Sequence, residues 1–329
     1  MARNGKEPIA YKDASAEALL MAMEKDKNVF LIGEGVDNIT GVYGQVLPAF
    51  KKFGPSRVID TPISENGLTG FCVGAALNGM RPVLIHQRND FMLLAMDQMF
   101  NQAAKLRFMS GDCCKVPITI LSFIAKKPGE GAQHSQSLQS IFAHFPGVKV
   151  GMPATVADAK GMLLAAIFDD DPVIILEHRN LFEKKEIASE GYYETPFTAK
   201  VAISGRDITI VTTSVALTDA FRAYHSFFKG RNVFPEIIDL RWLRPIDIEP
   251  IVESVKFTGR LLVVDTGWRS CSISSEIVAL VTERAHRYFK TAPRRITLPD
   301  IPCSASQLLE YHPTVEMIVK AVEEMILEK

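Results

Sequence analysis

Short apolar, β-branched runs alternate with stretches of helical spacing along the first half of the chain, and this alternation limits the folds open to it. The runs are Asn28 to Ile32, Pro82 to Ile85, Pro117 to Phe123, Val148 to Met152 and Pro172 to Leu176. A strand that is apolar on both sides must be covered on both faces, which a parallel sheet between layers of helices achieves. Asp13 is placed to cap a helix over Ala14 to Glu24, and Thr155 to cap one over Val156 to Phe168. The pattern predicts an α/β chain whose first parallel-sheet domain covers residues 1–185.

Around 180–200 the pattern breaks into charged and turn-forming residues, including Gly191-Tyr192-Tyr193-Glu194-Thr195-Pro196, and an exposed linker over 186–200 is expected. Strands resume at Ile208 to Thr212, Glu236 to Leu240 and Leu261 to Asp265. Helices are expected near Val215 to Phe228, Ile248 to Val255, Ser274 to Tyr288 and Thr314 to Leu327. This is a second parallel-sheet α/β domain over 201–329, and 329 residues that are 47% hydrophobic supply a core for both.

The 37 basic and 38 acidic side chains nearly cancel, so net charge draws the chain to neither nucleic acid nor an anionic membrane. Five scattered cysteines form no CxxC pair, which argues against a zinc site or a disulfide scaffold and for a reducing compartment. With no apolar signal core and no run near the roughly 20 residues of a membrane span, a soluble cytoplasmic protein is expected.

The sharpest candidate for chemistry is Glu65, in Asp60-Thr61-Pro62-Ile63-Ser64-Glu65-Asn66-Gly67-Leu68-Thr69-Gly70. The segment reads as a strand, a break and a helix, with Gly67, Gly70 and Gly74 as points of close approach. Open α/β sheets bind ligands at the carboxyl ends of their strands, and Glu65 falls there. A plain helix N-terminal carboxylate is the competing reading. His134 lies on the glycine-containing loop after the strand ending near Phe123, at the expected start of a helix running to Phe145, and is a candidate general acid or base. His86 and Arg88 follow another strand end and can hold a polar or anionic substrate, with His86 as a switchable donor; a solvated loop with an Arg88 to Asp90 pair is the alternative. No phosphate-binding loop is present: Gly33-Glu34-Gly35 has no lysine-serine after it.

The blocks IGEG at 32–35, VIDTPISENGLTG at 58–70, AMDQ at 95–98, GAQHSQS at 131–137, PATVADAKGML at 153–163, DDDPVIILEH at 169–178, RWLRPID at 241–247 and VVDTGW at 263–268 occur in one order along the chain. This series resembles the beta subunit of the thiamine-diphosphate-dependent, decarboxylating component of 2-oxo acid dehydrogenase complexes. The resemblance implies a transketolase-like pyrimidine-binding domain followed by a transketolase C-terminal-like domain. It also implies a separate alpha subunit that carries the diphosphate-binding domain and most of the magnesium contacts, in an α2β2 assembly.

Carried over by position, Glu65 corresponds to the glutamate that shares a proton with the aminopyrimidine ring nitrogen and so activates the cofactor. Phe91 corresponds to the aromatic stacked on that ring, and Ile63 and Glu34 to residues lining its pocket. His134 falls near the reacting centre, with Gln133 beside it. Ile118, Ala166, Ile167, Asp169 and Asp171 correspond to a loop that holds a monovalent cation, potassium, in some relatives. The sequence departs from the family at His86, Arg88 and Asn89, where further aromatics are usual, and at Lys126-Lys127-Pro128, where glycines are usual. A polar, basic wall suits carbohydrates, phosphates and polyols better than a branched aliphatic chain. Three readings therefore stand: a 2-oxo acid decarboxylase/dehydrogenase half with or without a lipoyl-bearing partner, a transketolase-like transferase with a carbohydrate-type acceptor, and a non-catalytic scaffold.

Overall fold

The computed structural model describes residues 7–38, 41–125, 129–306 and 312–328. They form two compact units, one of residues 1–126 with 141–196 and one of residues 127–140 with 197–329. Residues 129–140 thus pack with the later part of the chain, a division that no single boundary near 185 expresses.

In the first unit six strands lie side by side in the order Lys149–Gly151, Val173–His178, Thr119–Ile124, Arg81–His86, Val29–Gly33 and Val58–Asp60. Every neighbouring pair is parallel. Val173–His178, Thr119–Ile124 and Val29–Gly33 are buried along their whole length, as their mainly apolar sequences favour, with Thr119, Ser122, Glu177 and His178 as buried polar exceptions. Parallel pairing puts all six carboxyl ends on one edge, and the loops from that edge carry most of the candidate residues.

Thr155 caps Val156–Phe168 as expected: its Oγ1 accepts from the Asp158 N–H at 3.1 Å and donates to the Asp158 carboxylate at 2.7 Å. Asp13 is not a cap. The helix begins earlier, at Tyr11, and Asp13 lies in its first turn. The Tyr11 and Lys12 N–H groups, which a cap would otherwise serve, donate to the carbonyls of Lys184 and Phe182 at 2.9 and 3.3 Å. For the same reason the stretch expected as an exposed connection is partly structural: Leu181 and Phe182 are buried, and Lys185–Glu186 pairs antiparallel with Ile9–Ala10.

In the second unit the strand order is Arg294–Leu298, Leu261–Trp268, Ile208–Thr212, Pro235–Asp239 and Lys200–Ile203. The first four run parallel, and Lys200–Ile203 adds an antiparallel edge, so the sheet is mixed where a parallel one is expected. That edge strand carries exposed Lys200 and Val201, begins on the last residue of the expected linker and is not among the strands its sequence predicts. Thr314 caps the final helix, Val315–Leu327, accepting from the Met317 N–H at 3.3 Å. Among the described residues no helix is long and apolar enough to cross a membrane.

Candidate active site

Three adjacent strands of the first unit deliver the core of the site. Gly33 ends Val29–Gly33 where a β-carbon would stand 2.4 Å from the Ile85 carbonyl oxygen, so only glycine fits between the strands there. Exposed Glu34 follows, its backbone held from both sides. The Asp60 carboxylate accepts from the Gly35 N–H at 2.6 Å, and Gln87 Nε2 donates to the Glu34 carbonyl at 2.9 Å. The loops after Val58–Asp60 and Arg81–His86 are thereby tied to the loop between them.

Glu65 is the first residue of the helix Glu65–Leu77 and is half-buried. Its cap residue, Ser64, makes no side-chain cap bond, so the N-terminal dipole acts on the Glu65 carboxylate itself. Thr69 Oγ1 donates to the Glu65 carbonyl at 2.7 Å and stiffens the first turn. Ile63, on the loop just before this helix, is 71% exposed. A β-carbon at Gly67 would lie 2.8 Å from Ser64 Oγ and one at Gly70 3.2 Å from Gln98 Oε1, so both are close approaches. Gly74 is not, for nothing lies within 4 Å of the position its β-carbon would take.

His86 is buried, and its Nε2 has no hydrogen-bond partner among the described residues. Burial pushes its pKa down to about 4, so at neutral pH it is a neutral imidazole rather than the switchable donor expected from its type. Arg88 donates from Nη1 to the Tyr43 hydroxyl and to the Gln87 carbonyl at 3.0 Å. Asn89 is buried and donates from its backbone N–H and from Nδ2 to the Phe123 carbonyl at 3.2 and 3.4 Å. Phe91, half-buried, opens the 3-10 turn Phe91–Ala95 with its N–H on the Arg88 carbonyl at 3.2 Å.

Gln133 and His134 are exposed and belong to the second unit. His134 lies in a turn, with its N–H on the Gly131 carbonyl at 3.2 Å; the helix expected to start there begins at Gln139. The delay has a cause in the next residues. Gln139 Nε2 donates to the buried Asp265 carboxylate at 2.8 Å, Ser137 and Thr266 share a hydrogen bond at 3.2 Å, and the Ile273 N–H donates to Ser140 Oγ at 3.1 Å. The VVDTGW strand thus anchors the histidine loop from below. The basic segment Lys126-Lys127-Pro128 lies outside the described residues.

The oxygens assigned to a potassium ion already have donors within the chain. Arg81 Nη1 donates to the Ile167 and Asp169 carbonyls at 3.3 and 2.8 Å, the Val173 N–H to Ile118 O at 3.0 Å, and the Asp169 N–H to Ala166 O at 3.4 Å. Lys149 Nζ bridges the carboxylates of Asp169 and Asp171 at 2.7 and 3.0 Å, and Arg107 also reaches Asp171 at 2.7 Å. Asp170 is held below the usual carboxylate range by Lys115 and Arg81. Arg81, Lys149 and Arg107 thus supply positive charge to this loop from within the chain. Among the described residues no three His, Cys, Asp or Glu side chains gather as a metal-binding set.

One buried group at this edge has no signal in the sequence. Glu177 accepts from Ser15 Oγ at 2.6 Å and Gln45 Nε2 at 2.8 Å, and burial pushes its pKa up to about 7.

A parallel sheet whose carboxyl edge presents a helix-start glutamate and an aromatic, followed by a second mixed α/β unit, is the architecture of the transketolase type. Residues 7–185 match the transketolase pyrimidine-binding domain and residues 198–318 the transketolase C-terminal domain. The fold agrees with that of a split-gene transketolase described as an inactive β4 tetramer, at TM-score 0.78 and 20% identity over 98% of this chain and 100% of that one. Among curated relatives, the acetoin:2,6-dichlorophenolindophenol oxidoreductase beta subunit of Bacillus subtilis is 37% identical over 97% of this chain and 98% of its own. The pyruvate dehydrogenase E1 beta subunit of Rickettsia bellii is 38% identical over 92% and 93%, and its mitochondrial counterpart from Saccharomyces cerevisiae 37% identical over 97% and 89%. The chain belongs to the family of beta subunits of thiamine-diphosphate-dependent 2-oxo acid dehydrogenase components.

Proposed function

We propose that this chain is the beta half of a cytoplasmic, thiamine-diphosphate-dependent enzyme that cleaves the carbon–carbon bond beside the carbonyl of a 2-oxo acid, working with an alpha subunit in an α2β2 assembly. The observation that carries the reading is Glu65, half-buried at the start of a helix on the carboxyl edge, with Phe91 on the next-but-one strand's loop. When bound, thiamine diphosphate supplies the carbon nucleophile and the electron sink. Glu65 holds the proton shared with the pyrimidine ring nitrogen, Phe91 offers a face for that ring, and Ile63 and the Glu34 loop close its edges and exclude water. His134 moves protons at the reacting carbon, with Gln133 beside it. The alpha chain supplies most of the contacts to magnesium and the diphosphate.

The test is calorimetry of thiamine diphosphate and magnesium with the reconstituted pair and with each chain alone, together with 2-oxo acid decarboxylation. Binding by the pair, lost in Glu65→Gln, is the expected result; a pair that binds no cofactor overturns the reading. A second reading, transfer of a two-carbon unit to an aldose, is favoured by half-buried Arg88 on the loop that leads to Phe91. Carboligation with aldose acceptors, compared with lipoamide-dependent oxidation by a lipoyl-bearing partner, separates the two.

A further inference from the structure

Three local penalties meet at the turn Gly41–Gly44, in the loop that follows Val29–Gly33. Val42 and Tyr43 both sit in the left-handed region, at φ 48° and 55°, where a β-branched residue such as valine is strained. Glu177, near the carboxyl end of Val173–His178, is fully buried, and among the described residues two neutral donors serve it, Ser15 Oγ at 2.6 Å and Gln45 Nε2 at 2.8 Å. Gln45 is buried as well, and its Oε1 has no hydrogen-bond partner among the described residues. Apolar side chains of similar size at 45 and 177 would avoid both polar penalties. Strain and half-satisfied polar groups kept in one place point to a task there.

What these residues secure is the position of Tyr43. The Gln45 N–H donates to the Val42 carbonyl at 3.1 Å and closes the turn, while the Gln45 side chain fastens it to Glu177. Phe123 and Phe182 meet the Tyr43 ring edge-on at 5.5 and 5.4 Å, and the Arg179 guanidinium, two residues beyond Glu177, lies 4.2 Å from its centroid. The Tyr43 hydroxyl accepts from Arg88 Nη1, and the Arg88 carbonyl accepts from the Phe91 N–H at 3.2 Å. One route of contacts therefore runs from the Glu177 carboxyl through Gln45, Tyr43 and Arg88 to the turn that presents Phe91. Ser15 stands outside this route, for it reaches Glu177 from the helix Tyr11–Lys25.

We propose that Glu177, Gln45 and Tyr43 are positioning residues for the cofactor's pyrimidine ring, acting through Arg88 to hold the loop that carries Phe91. A loop held in one arrangement is ready for the ring. One that samples several binds only in the competent fraction of its population, and affinity falls by that fraction. The inference rests on the function proposed above and adds to it residues that need not touch the cofactor.

The experiment uses the reconstituted alpha–beta holoenzyme at neutral pH. Titration calorimetry with thiamine diphosphate in the presence of magnesium gives Kd, thermal unfolding without the cofactor gives Tm, and 2-oxo acid decarboxylation gives kcat. Glu177→Leu, Gln45→Leu and Tyr43→Phe should each raise Kd about 10-fold and leave kcat at saturating cofactor within about twofold of wild type. Glu177→Gln keeps an oxygen for Ser15 and supplies an N–H for Gln45 Oε1, so it should return Kd to the wild-type value. Gln45→Leu and Tyr43→Phe together should weaken binding no more than the stronger of the two alone, because they interrupt the same route. Ser15→Ala separates positioning from stability: it should lower Tm, as Gln45→Leu does, and leave Kd unchanged. Tyr43→Phe removes one hydroxyl and keeps the ring, so it decides the matter if Glu177→Leu fails to assemble. A Kd unmoved in Tyr43→Phe and Gln45→Leu, or raised as much in Ser15→Ala, overturns the positioning role and leaves the proposed function standing. A wild-type holoenzyme that binds no cofactor overturns the proposed function, and the positioning role with it.

Discussion

Single atoms decide the behaviour of this site. Glu65 is the one carboxylate placed at the helix start that ends the tied loops, so Glu65→Gln in the assembled enzyme should lower kcat by at least about 100-fold, read in a decarboxylation assay with folding checked by circular dichroism. At Gly33 the constraint is steric: a β-carbon would meet the Ile85 carbonyl at 2.4 Å, and Gly33→Ala should cost about 1–3 kcal/mol in urea unfolding because two paired strands must separate to admit it. Glu177 makes stability depend on pH. Its folded pKa of about 7 lies above the ordinary 4.5, so between those values the native state keeps a proton that the unfolded chain gives up. The contribution is complete below pH 4.5 and is lost as pH rises through 7, about 3 kcal/mol in all. Gln45 can serve a neutral carboxyl by turning its buried Oε1, otherwise without a partner, toward Glu177. Urea unfolding of wild type and Glu177→Gln at pH 5 and pH 8 should therefore show the variant gaining on wild type at the higher pH, and equal changes in both would contradict this account. His86, with its pKa near 4, should contribute no step to a pH–rate profile between pH 5 and 8.

At the scale of strands, helices and loops, legibility followed burial. Val173–His178 and Thr119–Ile124 announce themselves because both faces are covered and most positions are apolar, Val173 to Leu176 without a break. Lys200–Ile203 does not, since a short, half-exposed edge strand carries no continuous apolar run. Thr155 was readable as a cap because it acts on its own next turn, whereas Asp13 misled because the competing acceptors, Phe182 and Lys184, lie some 170 residues away. The candidate site divides the same way. Glu65, Phe91 and His134 are carried by local motifs, while the meeting of Arg88 with Tyr43 and Arg179 depends on three separate loops and leaves no local trace. At the loop around Asp169 and Asp171 the residue types match the family feature by position, and only the structure reveals that Arg81, Lys149 and Arg107 bond to the same oxygens. Thermal unfolding should thus give the same Tm in potassium chloride and in tetramethylammonium chloride at equal ionic strength. Arg81→Met should lower Tm in both salts, because it strips donors from two carbonyls and from Asp170.

At the scale of the whole molecule, what the chain leaves uncovered matters as much as what it buries. In the first unit Ile63 is 71% exposed, Phe71 57% and Phe108 89%, the first just before Glu65 and the second on the helix that Glu65 begins. Large apolar side chains left in water beside Glu65, the proposed catalytic carboxylate, mark a surface meant to be covered. A pyrimidine ring set against Phe91 and Ile63 here would keep one side open to solvent, and water there would compete for the Glu65 proton and weaken every polar contact. Adding the alpha chain should remove that water and bring the missing contacts to diphosphate and metal, so the two chains together should bind thiamine diphosphate at least about 100-fold more tightly than this chain alone, a gain of about 2.7 kcal/mol. Titration calorimetry of the isolated chain, of the mixture, and of the mixture with Phe71→Ser reads the difference directly. The isolated chain should also self-associate in sedimentation runs through the same uncovered side chains, and the mixed assembly should replace those species. Cofactor affinity equal in the isolated chain and in the mixture would mean that one chain encloses the ring unaided, and the exposed face beside Glu65 would need another explanation.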